Sequence, residues 1–100
     1  MRQTVTSNDI IEMVRDAGLR PTRQRLSLAR QLFSGEDRHV TAEQLHSESL
    51  GQGVSVSLAT VYNALHRFTD AGLLREVMVE PGRSYFDTHT EEPPHFFFEN

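Results

Sequence analysis

The chain has 100 residues and a formal net charge of −4 at pH 7, with 37% hydrophobic and 24% charged residues. This length holds one domain, or one domain and the start of a second, and the composition is typical of a globular protein. The sequence has no Cys, no apolar run near the roughly 20 residues of a membrane span and no signal-peptide pattern at its start. We therefore expect a cytoplasmic protein without a membrane partner, in which any metal is held by His and carboxylate groups.

The charge is distributed unevenly along the chain. Residues 1–75 carry nine Arg against eight acidic residues, whereas residues 76–100 carry one Arg against six. Within residues 15–34, a single Asp accompanies five arginines, Arg15, Arg20, Arg23, Arg25 and Arg30. A negative net charge argues against nucleic-acid binding, because neutralisation of phosphates supplies much of the affinity. A local basic patch on a nearly neutral body weakens that objection.

Two helices are predicted in the first third of the chain. Cap-forming residues at 6–9 precede apolar residues at helical spacing, and Gly18 closes this short first helix. A second helix begins at Pro21 or Thr22, runs through Phe33 and is closed by Gly35. Its polar side is rich in Arg and has no acidic residue, which favours contact with phosphates; an ordinary solvated face is the alternative.

A third helix follows a loop predicted at residues 36–39. The segment Thr41-Ala42-Glu43-Gln44 fits a capping box, and the helix runs to about Leu50 before Gly51-Gln52-Gly53.

Residues 57–71 predict the helix on which the functional interpretation depends. Ser57 is a good N-cap, and Gly72 can supply the left-handed residue after the last turn. An apolar stripe is formed by Leu58, Val61, Leu65 and Phe68. The opposite face carries small, hydrogen-bonding, aromatic and cationic side chains and no carboxylate: Ala59, Thr60, Tyr62, Asn63, His66 and Arg67. Such a face suits base edges; a buried helix with a modest polar back is the alternative.

A β-hairpin is predicted after this helix. Two β-rich segments, residues 74–79 and 84–87, flank the turn Glu80-Pro81-Gly82-Arg83. The fold class is therefore mainly α with a small antiparallel β-hairpin, arranged as a winged helix-turn-helix whose last helix enters the major groove. Arg83 at the tip is placed for a phosphate contact or is simply exposed to solvent.

The last residues differ in character from the rest. Residues 89–95 are polar and contain Pro93-Pro94, and Phe96-Phe97-Phe98 follow. We expect a winged-helix domain at 1–88, a hinge at 89–95, and at 96–100 the start of a C-terminal dimerisation domain that is absent from this chain, or a strand completed by another chain.

Several motifs together resemble the N-terminal DNA-binding domain of the ferric uptake regulator (Fur) superfamily, over roughly residues 17–98. They are residues 17–25, His39-Val40-Thr41-Ala42-Glu43, Ser57-Leu58-Ala59-Thr60-Val61-Tyr62-Asn63 and residues 68–73. Residues 20–25 and 56–63, with Tyr85-Phe86-Asp87-Thr88 and His95-Phe96-Phe97, look most like the iron response regulator (Irr) branch. The resemblance implies a homodimeric transcriptional regulator of iron-responsive genes that binds double-stranded operator DNA.

The resemblance also implies particular site residues. Tyr62 and Asn63 would contact bases, and Arg20 would enter the minor groove. With the surfaces above, the residues expected to contact DNA are Arg20, Thr22, Arg23, Arg25, Ser57, Ala59, Thr60, Tyr62, Asn63, Arg67 and Arg83. A regulatory site for Fe²⁺, Mn²⁺ or Zn²⁺ would be formed by His39, Asp87 and His95, with His89 the weaker candidate. Haem is a further effector of that branch, although this chain has Pro93-Pro94-His95 where the branch carries consecutive histidines, and it lacks a Cys-Pro motif.

Two other classes of function are alternatives to DNA binding. A winged helix that binds a protein partner through its acidic hairpin and Phe-rich end is the main alternative. An enzyme is not expected, because the sequence shows no nucleophile with a matched base, no glycine-rich phosphate loop and no metal-hydrolase spacing.

Overall fold

The computed structural model describes residues 6–90, which form helices α1–α4 and strands β1–β3. In chain order these are α1 (Ser7–Asp16), α2 (Arg23–Phe33), β1 (His39–Val40), α3 (Ala42–Gly51), α4 (Leu58–Asp70), β2 (Arg75–Glu80) and β3 (Arg83–Asp87). The predicted winged helix-turn-helix is confirmed: α3 and α4 are the helix pair, and β2 and β3 form the wing. Across residues 6–90, no helix is long and apolar enough to cross a membrane.

The helix starts are determined by local side-chain hydrogen bonds. Each helix follows a Ser or Thr N-cap whose hydroxyl accepts a bond from the backbone N–H three residues later; the caps are Thr6, Thr22, Thr41 and Ser57. The predicted capping box at Thr41 is present, with Gln44 bonding back to the Thr41 N–H. These bonds satisfy donors that the first turn of a helix leaves without partners.

The glycines predicted to end helices behave differently from one another. Gly18 and Gly72 have φ of 79° and 84°, the left-handed conformation expected after a last turn. Gly35 is not among the positive-φ glycines, and the C-cap of α2 is Ser34 in the right-handed region. The end of α2 at Phe33 was predicted correctly, but the role given to Gly35 was wrong.

The sheet is larger than the predicted hairpin. His39, placed in a loop by the sequence, begins strand β1, which pairs antiparallel with β3 and gives the strand order β1-β3-β2. His39 lies opposite Asp87 and Val40 opposite Phe86. A two-residue strand is too short to show a periodic pattern, so only the pairing with β3 reveals it.

One apolar core connects the helices to the sheet. The predicted stripe of α4 is central to it, since Val61, Leu65 and Phe68 each have 0% exposure, while Leu58 is partly buried. Phe68 meets Phe33 of α2 edge to face, with ring centroids 5.5 Å apart. This packing fixes which side of α4 is turned away from the core.

Replacing Phe68 with Ala is expected to lower the free energy of unfolding by about 3–5 kcal/mol, because it leaves a cavity against Phe33. Urea denaturation followed by circular dichroism measures the loss. Leu50→Ala is the control: Leu50 is 50% exposed, and its substitution should cost less than about 1 kcal/mol. Equal losses in the two variants would contradict the assigned core.

Candidate nucleic-acid interface

The side of α4 turned away from the core is open to solvent. Ala59, Asn63, His66 and Arg67 are exposed, and Thr60 and Tyr62 are half-buried on its two flanks. The structure therefore exposes the predicted face and does not enclose it among other elements. Asp70 in the last turn is also exposed, so the expectation of a face without carboxylates is wrong at its C-terminal end.

Arg67 lies across the end of α1. Its Nη1 would be 3.5 Å from a Cβ built on Gly18, which has φ of 79°. A larger residue at position 18 would therefore be strained and would approach the guanidinium. The guanidinium of Arg67 therefore lies in the corner between α1 and α4, beside a position whose backbone conformation favours glycine.

Tyr62 lies on the wing side of α4 and contacts a residue that the sequence did not suggest. Its hydroxyl donates a hydrogen bond to Glu43 Oε2 at 3.1 Å, and this bond is the main cause that raises the pKa of Tyr62. The phenol is therefore neutral at pH 7. Glu43 is 19 positions away in the chain, and no spacing rule connects the two; the only sequence signal was an acidic residue in the first turn of α3.

A groove of about 240 Å³ separates the starts of α2 and α4. Four predicted DNA-contact residues line it, Thr22, Arg25, Ser57 and Thr60, together with Gln24, Ser55 and Val56. Two helix N-termini meet here, and each carries a partial positive charge. The Nε of Arg25 is buried and has no hydrogen-bond partner, while its Nη1 reaches the Arg20 carbonyl oxygen at 3.5 Å. These features suit an anion.

The remaining predicted cations are exposed. Arg20 and Arg23 are exposed before and at the start of α2. At the wing tip, Arg83 Nη1 donates to Glu80 Oε2 at 2.9 Å. Ion pairs between exposed groups contribute little to stability, so this one can be exchanged for a phosphate at small cost.

The candidate metal ligands are only partly brought together. His39 and Asp87 are cross-strand neighbours beside a depression of about 410 Å³ that Arg75 and Tyr85 also line. Asp87 Oδ2 is 3.9 Å from Arg75 Nη2, and its Oδ1 accepts a bond from the His89 backbone N–H at 2.9 Å. The pair offers one imidazole nitrogen and one carboxylate oxygen on adjacent strands. Ligands of these types bind borderline or hard divalent ions.

The other two candidates do not complete this pair. The His89 ring turns to Asp37, with Nδ1 3.2 Å from Oδ2, and His95 lies outside the described residues. Among residues 6–90 no group of three or more His, Cys, Asp or Glu side chains could hold a metal ion. The predicted hinge and the start of a dimerisation domain also fall largely outside this range and stay predictions.

The profile of the ferric uptake regulator family matches residues 16–100. The chain belongs to this family. It is 36% identical over 84 residues to the ferric uptake regulation protein of Vibrio anguillarum, an alignment that covers 84% of this chain and 56% of that protein. The chain therefore spans about half the length of the curated relatives it matches.

Solved structures of the family have the same fold. The Vibrio cholerae ferric uptake regulator superposes with a TM-score of 0.70 at 35% identity, covering 83% of this chain and 63% of that one. The Pseudomonas aeruginosa regulator, solved with manganese, gives 0.66 at 35% identity, covering 77% and 57%. These relatives establish the family, and the likeness to the Irr branch stays a prediction.

Proposed function

We propose that this chain is the DNA-binding part of a cytoplasmic transcriptional regulator, and not an enzyme, and that it binds double-stranded operator DNA through α4. The observation that carries the proposal is the continuity of two surfaces. The exposed face of α4, with Asn63 and Arg67, adjoins the groove that Arg25 lines between the starts of α2 and α4. A base-reading face and an anion-binding groove side by side are what a major-groove helix requires.

Each side chain has a role that follows from its chemistry. With α4 in the major groove, the Asn63 amide pairs bidentately with adenine, and Arg67 binds guanine or a phosphate. Exposed Ala59 has a small side chain, which lets the backbone of α4 approach the bases. A phosphate fits between the caps Thr22 and Ser57 beside Arg25.

The exposed cations extend the contact along the DNA. Arg83 exchanges Glu80 for a backbone phosphate on the wing side. Arg23 supplements the phosphate contacts of α2, and Arg20 reaches the neighbouring minor groove.

The complete regulator is proposed to act as a homodimer that represses iron-responsive genes. The matched relatives are named for ferric uptake regulation and are nearly twice as long as this chain's matched part. In a dimer, two copies of α4 read half-sites about one helical turn apart, so an effector that changes their spacing changes operator affinity.

The effector is proposed to be Fe²⁺, Mn²⁺ or Zn²⁺, held by His39 and Asp87 with His95 as a third ligand. The P. aeruginosa relative was solved with manganese, and the donor set offers imidazole nitrogen and carboxylate oxygen. A bound ion supplies positive charge that draws these groups together, and β1 and β3 keep His39 and Asp87 opposite each other. Haem is the alternative effector.

Replacing both Tyr62 and Asn63 with Ala is expected to reduce affinity for a duplex selected by the chain from a random pool at least tenfold, since each bidentate base contact contributes about 1–3 kcal/mol. Fluorescence anisotropy measures the affinity. Asn8→Ala, an exposed Asn in α1, is the matched control and should bind normally. Unchanged affinity in the double variant, with an unchanged circular dichroism spectrum, would refute recognition by α4.

Salt separates DNA binding from the alternative of a protein-interaction module. If about four phosphates are contacted, affinity for DNA should fall roughly a hundredfold between about 50 and 200 mM salt. Arg25→Gln should reduce the slope of log affinity against log salt by about one, because one phosphate contact is lost. A flat salt dependence, or an unchanged slope in Arg25→Gln, would count against the phosphate groove.

Metal binding is expected to depend on His39 and Asp87. Calorimetric titration with Mn²⁺, Zn²⁺ or anaerobic Fe²⁺ should show at least about tenfold weaker binding in His39→Ala and Asp87→Ala, since a ligand is lost in each. His46→Ala is the control, because His46 Nε2 contacts the Val56 carbonyl oxygen instead. Equal metal affinity in all variants would show that the metal does not bind at β1 and β3. An absorption band of bound haem on addition of haem would favour haem as the effector.

A further inference from the structure

Tyr62 and Glu43 form a polar pair between the start of α3 and the wing. The phenol and the carboxylate line a depression of about 330 Å³ whose other walls are Thr41 and the wing-tip residues 82–84. The Tyr62 ring is held on its other side by His66, with centroids 6.0 Å apart, and His66 lies 5.7 Å from Phe86. The phenol is thus supported by both the helix pair and the sheet.

The backbone at Glu43 is fixed by the first turn of α3. Glu43 follows Thr41 in a closed capping box, with Thr41 Oγ1 bonded to the Gln44 N–H at 3.1 Å and Gln44 Oε1 to the Thr41 N–H at 2.9 Å. A carboxylate in the first turn of a helix is also favoured by the helix dipole. In the part of the chain that the structure describes, no ion pair involves Glu43. Within residues 6–90, the side-chain hydrogen bond shown for this carboxylate is the one from Tyr62.

The direction of the hydrogen bond determines what the pair can bind. Tyr62 donates its only hydroxyl proton to Glu43 Oε2, so its oxygen is left as an acceptor. The ionised carboxylate has acceptors only. In the major groove, the donors that can meet such a pair are the exocyclic amino groups of adenine N6 and cytosine N4, whereas guanine O6 and thymine O4 are acceptors.

We propose that Glu43 is a specificity-determining residue of the α4 interface: together with Tyr62 it presents an acceptor-only pair that binds the amino group of an adenine or a cytosine. This inference rests on the proposed function, since it requires α4 to lie in the major groove. Glu43 contributes discrimination at the expense of affinity, because its charge repels phosphates. A duplex that offers guanine or thymine at this position leaves both acceptors without a donor.

The first experiment selects duplexes from a random-sequence pool with the wild-type chain and with the Glu43→Gln and Glu43→Ala variants. The wild type should select duplexes with adenine or cytosine at one position on one strand. Both variants should lose that preference, because a glutamine amide also donates and alanine frees the phenol proton. Glu36→Gln, which removes an exposed carboxylate from the loop after α2, is the charge-matched control and should keep the preference.

A second arm tests the chemistry of the contact. If the selected base is adenine, it is replaced with purine, which lacks the N6 amino group. If the selected base is cytosine, it is replaced with a pyrimidinone that lacks the N4 amino group. The substitution should weaken wild-type binding roughly three- to tenfold, as expected for one hydrogen bond, and should leave binding by Glu43→Ala unchanged.

A third arm needs no DNA. In Tyr85→Phe, which leaves Tyr62 as the sole tyrosine of the chain, ultraviolet titration follows the Tyr62 phenol. Glu43→Gln should lower its pKa, because the carboxylate that disfavours the phenolate is removed. An unchanged pKa would overturn the pair itself.

Two outcomes of the selection experiment distinguish this inference from the proposed function. If Glu43→Ala keeps the base preference while DNA binding still requires Tyr62 and Asn63, this inference alone is overturned. If the chain selects no duplex, the inference and the proposed function are overturned together.

Discussion

The packing of α4 into the apolar core is the interaction on which the rest of the site depends. A helix that buries Val61, Leu65 and Phe68 completely has no freedom to rotate about its axis. Core packing therefore places Asn63 on the solvent side of α4. The Asn63 side chain needs no contact with the rest of the protein to stay there. The exposed face of α4 is held in place because the residues that orient it are different from those that form it.

A second constraint joins the sheet to the helices. The Arg38 backbone N–H donates to Thr88 Oγ1 and the Thr88 N–H donates to the Arg38 carbonyl oxygen, both at 2.9 Å. The Arg38 guanidinium also donates to Glu48 Oε2 at 2.7 Å and to the Gln31 carbonyl oxygen at 3.3 Å. Through this one residue, the strand pair carrying His39 and Asp87 is connected directly to α2 and α3.

The electrostatics of the interface are local. The chain as a whole is negative, and two carboxylates lie beside residues of the candidate interface, Glu43 beside Tyr62 and Glu80 beside Arg83. The groove lined by Arg25 instead combines one cation with the starts of two helices and has no carboxylate in its lining. Because electrostatic interactions in salt fall off within about 10 Å, this distribution, and not the net charge, determines where a phosphate can bind.

The sequence by itself determined the features whose causes lie within a few residues. The caps Thr41 and Ser57 bond three positions along the chain, Gly72 adopts a backbone conformation that other residues avoid, and the apolar stripe of α4 follows the helical repeat. Family membership likewise lies in local motifs. The tertiary structure alone decided the rest: that His39 is in a strand, that Tyr62 donates to Glu43, and that Arg25 lines a groove between two helix starts. These depend on partners distant in the chain, and side-chain pairing across such distances leaves no periodic or spacing signal in a single sequence.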